Sequence, residues 1–380
     1  MTADLPVIAH FTTLHPRWDP RIRLKEVATL SRHLDADVRL FVQDGEGDEV
    51  DPAGYRIVDT GPRERTRLIG MLRGGLRMIA AVRRARPHVA HFHDPELMPW
   101  ALLLRLSGTK VIYDVHEDLP RQIRHSPAFP AWARPLLPWA ATAFEWIGTR
   151  FLSGQVAATP DIAERFPARS TVLVQNHPLI GELHIADPAP MRDRPLELAY
   201  IGGLSPGRGL SQLLDAIQRV PQPTKIAFAG WFSNDRDSEV AHSHPGWSRV
   251  RDLGMRSRSE VAELLGKTRA GLVLFQPLPN NIAGRPMKLF EYMSAGLPVI
   301  ASDFPRWREI VDGAGCGLLV DPRDPQAIAQ AMQWFADNPE EAGEMGKRGH
   351  KSILERYSWD AEAERLVDFY RRRLLGKAAK

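Results

Sequence analysis

Short apolar runs recur along the chain and alternate with longer stretches in which apolar and polar residues mix at helical spacing. Strands buried on both faces of a parallel sheet read as such runs, so we expect each run to be a strand and the stretches between them to be helices. The alternation predicts an α/β fold with parallel sheets. The predicted strands, some with the turn that follows, lie at 7–11, 38–42, 89–94, 110–118, 155–160, 172–176, 196–201, 225–231, 250–256, 270–275, 299–301 and 317–320.

Length and a proline-rich interruption predict two domains. A chain of 380 residues is longer than most single-core domains. Residues 177–195 contain four prolines and no periodicity, which is typical of an interdomain linker. We expect an N-terminal Rossmann-like domain at 1–185, a second one at 186–357, and a terminal helix at 358–380 that begins at the N-cap residue Ser358.

The strongest local pattern predicts a helix that begins at Pro286 and ends at Gly296. The free N–H groups and positive dipole end at the start of such a helix suit a phosphate. Glu291, about a turn and a half further along, is within reach of a pair of sugar hydroxyls. The plainer interpretation is a surface pair between Glu291 and Lys288, three residues earlier.

A glycine-rich turn follows the predicted strand 196–201. Gly202 and Gly203 let the backbone approach a ligand closely, and Arg208 supplies a fork of donors that matches a phosphate. The turn lacks the G-x-G-x-x-G spacing of a dinucleotide-binding fingerprint. The sequence therefore indicates an anion site of unspecified type.

Polar residues end two predicted strands of the first half. His93 and Asp94 end one, and His116 and Glu117 lie near the end of the next. Carboxyl ends of parallel strands meet at one edge of a sheet, where open sheets bind ligands, so these residues are predicted to form one wall of a cleft.

The loop 15–21 after the first strand is predicted at the same edge. Asp19 and Arg21 either contact an acceptor or form a salt bridge within the loop. His91 and His93 point to the same side of one strand, and Asp94 or His116 is a candidate third metal ligand, but no recognised metal-binding spacing accompanies them. We therefore expect no metal.

Composition and charge limit the partners. A net charge of +4 and a pI near 9.3 favour an anionic partner. Arginines mixed with apolar residues at 63–86, and aromatic residues at 129–152, suggest peripheral contact with an anionic membrane, although a solvated helix and core packing are the plainer interpretations. No nucleic-acid motif is present. A single cysteine, Cys316, and the lack of a signal peptide or of a long apolar run predict a cytoplasmic protein, at most bound to the inner face of the plasma membrane.

Residues 288–293 and 295–300 resemble the donor-site signature of family 4 glycosyltransferases, whose GT-B fold consists of two Rossmann-like domains facing across a cleft. The resemblance implies that Glu291 binds a nucleotide ribose. It also implies that phosphates meet the backbone amides at the helix start, which belong to Met287, Lys288 and Leu289. The family usually carries a second glutamate where Ala283 stands, and Asn280 or Asn281 is a candidate substitute.

Other motifs extend the resemblance. The motifs His-x-His-Asp-Pro-Glu at 91–96 and Tyr-Asp-Val-His-Glu at 113–117 are similar to a subgroup that assembles bacterial polysaccharides. This similarity implies that His116 lies beside the donor sugar and steadies it. We place five residues near the acceptor, which are Asp19, Arg21, His93, Asp94 and Glu117. In the second half, the family puts a basic residue of the glycine-rich turn on the diphosphate and seats the base largely against backbone. The residues so implicated are Gly202, Gly203, Arg208, Gly230 and Arg256, and many members carry an arginine where Gly203 stands.

The resemblance implies an activity. It predicts retaining transfer of a hexose from a nucleotide diphosphate sugar, with UDP or GDP as the nucleotide, to a hydroxyl of a glycan or lipid-linked glycan. No metal or other cofactor is expected, and the terminal helix is expected to cross back to the first domain. A GT-B sugar-nucleotide epimerase is one alternative. A catalytically silent nucleotide-sugar-binding protein is another, favoured by Ala283 and Gly203.

Overall fold

A computed structural model describes residues 5–64, 66, 69–116, 119–120, 123, 136–185 and 188–376. The chain divides into two compact units. The first comprises Met1–Asn176 together with Trp359–Lys380, and the second comprises His177–Ser358. The division thus falls a few residues before the boundary expected at 185/186, at the start of the proline-rich segment.

Each unit contains one sheet. The first sheet has the strand order β3-β4-β2-β1-β5-β6-β7-β8 and is parallel except for β3, which is antiparallel to β4. The second sheet, β11-β10-β9-β12-β13-β14, is entirely parallel. The strands are β1 Val7–Phe11, β2 Asp37–Val42, β3 Glu49–Val50, β4 Arg56–Asp59, β5 Val89–Phe92, β6 Lys110–Val115, β7 Gly154–Ala157, β8 Thr171–Leu173, β9 Glu197–Ile201, β10 Lys225–Ala229, β11 Val250–Asp252, β12 Ala270–Val273, β13 Val299–Ser302 and β14 Gly317–Val320. The predicted α/β class with parallel sheets is confirmed.

Helices connect most of these strands. The described α-helices are α1 Ala28–His33, α2 Gly75–Arg84, α3 Met98–Leu106, α4 Leu137–Phe151, α5 Pro160–Ala163, α6 Leu210–Arg219, α7 Asp235–Ser243, α8 Arg258–Leu265, α9 Pro279–Ala283, α10 Met287–Ser294, α11 Pro305–Ala314, α12 Pro325–Asp337, α13 Pro339–Arg356 and α14 Trp359–Phe369. Shorter segments are π-helical at Pro20–Val27, Gly70–Gly74 and Tyr370–Leu375, and 3₁₀-helical at Pro95–Leu97, Ala168–Ser170, Met191–Asp193, Pro206–Arg208 and Pro245–Arg249. Among the described residues, no helix is both long and apolar enough to cross a membrane.

The second sheet is buried on both faces, which explains its continuous apolar runs. Along β9, Leu198 and Tyr200 join one apolar cluster, and Ala199 and Ile201 join another on the opposite face. One residue fixes α10 against this sheet. The Tyr292 hydroxyl donates to the Ala199 carbonyl at 3.3 Å and accepts from the Ile201 N–H at 2.9 Å. The start of α10 is thereby held near the carboxyl ends of the strands.

Candidate active site

In the second unit, the backbone after β9 approaches that after β10 so closely that only glycine fits. A Cβ on Gly230 would lie 2.1 Å from the Gly202 carbonyl oxygen, and Gly202 has a φ of +84°. A Cβ on Gly203 would lie 2.7 Å from Arg208 Nη1, which donates to the Gly203 carbonyl at 3.0 Å. Arg208 therefore lies against Gly203, the position at which many family members carry arginine.

At the start of α10, two backbone N–H groups have no acceptor among the described residues. Pro286 is the N-cap and has no N–H, and the helix begins at Met287. The N–H groups of Met287 and Lys288 lie in the first turn, where the helix offers no carbonyl to accept from them. The Leu289 amide, in contrast, donates to the Pro286 carbonyl at 3.1 Å. Of the three amides implied by the resemblance, two are therefore available to a ligand.

Lys288 is a buried amine that forms no ion pair with any described residue. Its Nζ makes no hydrogen bond within the described part of the chain and lies 4.0 Å from the centre of the Tyr200 ring. Burial, and then the neighbouring charge of Arg208, lower the pKa of Lys288 to about 7 despite the opposing effect of Glu291. Such an amine costs free energy in the unliganded protein, and an anionic ligand would remove that cost.

Glu291 pairs with an arginine that the sequence analysis did not single out. Arg258 Nη1 donates to Glu291 Oε1 at 2.7 Å, and its other nitrogens hold Glu182 at 2.8 Å. The surface pair between Glu291 and Lys288 is therefore wrong. Glu291 Oε2 makes no hydrogen bond to any described residue, so one carboxylate oxygen remains for a ligand. Arg256 donates instead to Glu260 at 3.1 Å on an exposed surface.

Hydrogen bonds to neighbouring segments fix the loop around Ala283. Asn281 donates to the Gly207 and Gln276 carbonyls at 3.2 and 2.9 Å, so its amide group is used within the fold. Trp307 Nε1 donates to the Gly284 carbonyl at 2.8 Å. Of the two asparagines proposed to replace the missing glutamate, Asn280 is the one whose side chain is not committed to these bonds.

In the first unit, polar groups converge on Asp114 at the end of β6. Arg21 Nη2 donates to Asp114 Oδ1 at 2.8 Å, whereas His93 Nδ1 and His116 Nε2 lie 3.0 and 2.7 Å from Asp114 Oδ2. Burial alone would raise the pKa of Asp114, but Arg21 and the two histidines hold it well below its usual value. Asp114 is therefore an anion, and its neighbours donate to it.

The residues assigned to the acceptor mostly hold this framework together. Arg21 and His93 are buried around Asp114, and Asp94 Oδ2 accepts from the backbone and side chains of the loop after β1. Asp19 caps the following π-helical segment and lies 3.2 Å from His15 Nδ1. Arg21, His93 and Asp94 are buried in this framework, their contact with an acceptor stays a prediction, and Glu117 lies outside the described residues.

His15 stacks on His116, with ring centres 5.1 Å apart. Burial lowers the pKa of His15, but the hydrogen bond to Asp19 and the charges of Asp94 and Asp19 raise it overall. His116 is thus held at its edge by Asp114 and on one face by His15, and it remains partly exposed to solvent.

Two family models divide the chain between them. A model described as "Glycosyl transferase 4-like domain" matches residues 20–176, and one described as "Glycosyl transferases group 1" matches residues 185–352. The chain belongs to the family 4 glycosyltransferases. The protein is accordingly a glycosyltransferase.

Relatives and solved structures agree with this assignment. MMP alpha-(1->4)-mannosyltransferase of Mycolicibacterium hassiacum is 23% identical over 95% of this glycosyltransferase and 88% of its own length. O-antigen chain mannosyltransferase B of Escherichia coli is 25% identical over 51% of this chain and 48% of its own. The structure of sucrose-phosphate synthase from Thermosynechococcus elongatus covers 97% of this chain, and 98% of that chain is covered, with a TM-score of 0.76 at 18% identity. Anabaena Alr3699/HepE in complex with UDP-glucose matches with a TM-score of 0.71 at 15% identity, over 95% of this chain and 98% of that one. The fold is GT-B.

One buried group of this glycosyltransferase has the composition of a metal site. Glu26, His91, His93 and Asp114 place ligand atoms within 4.8 Å of one another. However, Arg21 Nε lies 3.1 Å from Glu26 Oε1, and Arg21 Nη2 contacts Asp114, so a guanidinium already lies against both acidic side chains. Burial and the nearby Asp114 raise the pKa of Glu26 well above its usual value, which favours a neutral acid. Metal independence stays a prediction.

Proposed function

We propose that this glycosyltransferase is a retaining hexosyltransferase. It transfers a hexose from a UDP- or GDP-linked sugar to a hydroxyl of a glycan or lipid-linked glycan during synthesis of a cell-surface polysaccharide. Relatives named as mannosyltransferases, one of them for an O-antigen chain, support the sugar and the acceptor class. A structural neighbour in complex with UDP-glucose supports the donor class.

Lys288 is the observation that carries the proposal. Its buried amine makes no hydrogen bond within the described residues and lies near Arg208 and the two amides at the start of α10, so this group is suited to a ligand with two or more negative charges. Glu291, oriented by Arg258, presents a carboxylate oxygen to the two ribose hydroxyls. A nucleoside diphosphate has both groups.

The chemistry follows from this charge arrangement. An acceptor oxygen forms a bond to the anomeric carbon as the bond from that carbon to the diphosphate breaks. The acceptor proton passes to the departing phosphate oxygen, on the same face, so configuration is retained. Charge grows on the diphosphate, where Arg208, Lys288 and the amides of Met287 and Lys288 stabilise it.

A thermal-shift screen with UDP, GDP, ADP and their sugars tests the donor class, because a ligand that binds only the folded state raises the melting temperature. We expect one diphosphate and its sugar to stabilise the wild type and to lose this effect in Lys288→Gln. Lys267→Gln, at an exposed lysine of the same unit, is the matched control and should respond like wild type. Equal stabilisation of the wild type and Lys288→Gln by the diphosphate would contradict the site.

Arg208→Ala tests the transfer step. Each lost donor to developing charge typically slows turnover about 10²–10³-fold, and we expect at least about a tenfold loss with an unchanged circular dichroism spectrum. Product analysis by mass spectrometry and NMR separates the alternatives. A sugar epimerised without acceptor would indicate an epimerase, and donor binding without transfer or hydrolysis would indicate a silent binding protein.

Contact with an anionic membrane is the second part of the proposal. We define the apolar surface as Leu103, Leu106, Trp139, Ile147 and Phe151, exposed side chains of α3 and α4. The two helices pack together, Arg105 donates to the Phe151 carbonyl at 3.2 Å, and Arg150 stacks on Trp146. Exposed apolar and aromatic groups with arginines at their edge suit a bilayer surface that carries a lipid-linked acceptor. In the predicted stripe at 63–86, Leu72 and Leu76 are exposed, Ile79 is buried, and Leu68 lies outside the described residues.

A further inference from the structure

Asp114 and His116 lie two residues apart at the end of β6, on the same side of the chain by strand alternation. The 2.7 Å separation of His116 Nε2 from Asp114 Oδ2 leaves room for one proton. An anionic carboxylate oxygen cannot donate, so this proton belongs to His116 Nε2. The protonated nitrogen of His116 therefore points into the protein.

A chain of hydrogen bonds behind Asp114 keeps the same direction. His93 Nδ1 lies 3.0 Å from Asp114 Oδ2 and 3.1 Å from His116 Nε2. Because His116 Nε2 already carries a proton, His93 Nδ1 donates to Asp114, which leaves His93 Nε2 to accept from His10 Nδ1 at 3.1 Å. His10 Nε2 in turn accepts from the Tyr370 hydroxyl at 3.3 Å. Burial lowers the pKa of both His10 and His93, so each is neutral and carries one proton. Asp114 is the acceptor at the end of this chain of hydrogen bonds.

Arg21 fixes the other side of the carboxylate. Its Nη2 donates to Asp114 Oδ1 at 2.8 Å, and its Nη1 donates to the Val174 carbonyl at 3.0 Å. The opposite nitrogen of His116, Nδ1, makes no hydrogen bond to any described residue, and it is not a buried atom. One ring nitrogen is thus committed to the protein, and the other is open.

We propose that Asp114 is a positioning residue that holds the Nε2–H of His116 toward itself, so that Nδ1 is the atom presented to the substrate. As a lone-pair acceptor, Nδ1 recognises a hydroxyl that donates a hydrogen bond. With the proposed hexose donor, on which this consequence rests, His116 selects a sugar with a free hydroxyl at that place and discriminates against the deoxy sugar that lacks it. Loss of one such hydrogen bond corresponds to about a tenfold loss in kcat/KM.

The tautomer is measured directly by two-dimensional ¹⁵N–¹H NMR of the histidine rings in the full-length protein, with His116 assigned from the signal missing in His116→Gln. We expect the Nε2–H pattern in the wild type. In Asp114→Asn, Arg21 retains the amide oxygen, so the amide N–H₂ replaces Oδ2 and donates to His116. His116 should then switch to the Nδ1–H form. Tyr370→Phe removes a distant member of the chain and should leave the tautomer unchanged. An Nδ1–H pattern in the wild type, or no switch in a folded Asp114→Asn, would overturn the proposal.

A second pair of variants covers the case in which Asp114→Asn does not fold. Asparagine places its amide near the position of Nδ1, and glutamine places it near Nε2. We expect His116→Asn to retain about tenfold more kcat/KM than His116→Gln, because only the former keeps an acceptor at the substrate side. The reverse order would show that Nε2 faces the substrate. Should neither the wild type nor any variant transfer sugar, the proposed function fails while the NMR result still decides the tautomer.

Discussion

At the scale of single residues, Lys288 links stability to binding. Its pKa is about 7 in the folded protein and 10.5 in a free lysine, so between these values the unfolded chain carries a proton that the folded chain lacks. The free energy of unfolding therefore rises with pH across this window because of Lys288, and the contribution of this residue is unfavourable at lower pH. A bound diphosphate favours the charged form of Lys288, so the amine takes up a proton when the ligand binds.

Binding of the diphosphate at about pH 8 should consequently take up a proton at Lys288. Isothermal titration calorimetry in two buffers of different ionisation enthalpy measures this uptake as a difference in apparent binding enthalpy. Lys288→Met should abolish the proton uptake and weaken binding, yet stabilise the unliganded protein by about 1–3 kcal/mol, since an unpaired buried amine is removed. Identical enthalpies in the two buffers for the wild type would show that Lys288 is already charged.

Which site residues the sequence reveals depends on how far away their partners lie. Arg208 and Lys288 stand beside local signals, a glycine-rich turn and a helix start, and were predicted from them. Arg258, at the start of α8, contacts Glu291 of α10 only in the folded second unit. These residues are far apart in sequence, and no local pattern encodes their contact. Asp114 was visible as a carboxylate two positions before His116, and strand alternation alone could have placed both on one side.

At the scale of elements, the turns after β9 and β10 approach each other so closely that position 230 must be glycine. We expect Gly230→Ala to destabilise the protein by about 1–3 kcal/mol and to weaken diphosphate binding, because a Cβ would lie 2.1 Å from the Gly202 carbonyl oxygen. Denaturant unfolding and the thermal-shift assay measure the two effects. Gly313→Ala is the control, since a Cβ there meets open space within α11 and should change stability little or raise it by about 0.4–1 kcal/mol.

Helices α3 and α4 form the element that the membrane proposal concerns. Trp139 and Phe151 are 74% and 63% exposed, so removing them leaves the core intact. The double variant Trp139→Ser/Phe151→Ser should reduce flotation with vesicles containing anionic lipid by about tenfold or more, and salt should weaken the wild-type interaction. Met255→Ser, at an equally exposed residue of the second unit, is the control. Wild-type protein that stays at the bottom of the gradient would refute membrane contact.

At the scale of the whole molecule, the sheet strands were the most predictable feature. Runs such as 7–11 and 225–229 are buried on both faces, and burial of both faces is what makes a strand continuous in apolar residues. Strands β3 and β4 were not anticipated. The edge strand β3, Glu49–Val50, has only two residues, and β4, Arg56–Asp59, has only two apolar residues between charged ones, so neither stands out as an apolar run. The order of strands and the return of Trp359–Lys380 to the first unit depend on contacts distant in sequence.

Charge balance across the first unit leads to a prediction about metals. Arg21 contacts both Glu26 and Asp114, and a divalent ion placed among Glu26, His91, His93 and Asp114 would meet its guanidinium at close range. We therefore expect that dialysis against EDTA leaves the transfer rate unchanged, and that Mg²⁺, Mn²⁺ or Zn²⁺ added afterwards does not raise it.

Arg21→Met is the complementary variant. Removing the guanidinium leaves the carboxylate of Asp114 without its counter-charge, so the variant should be less stable by about 3–5 kcal/mol and should regain stability only with an added divalent ion. A rate that falls on chelation of the wild type and recovers with one ion would show that the buried cluster binds metal in spite of Arg21.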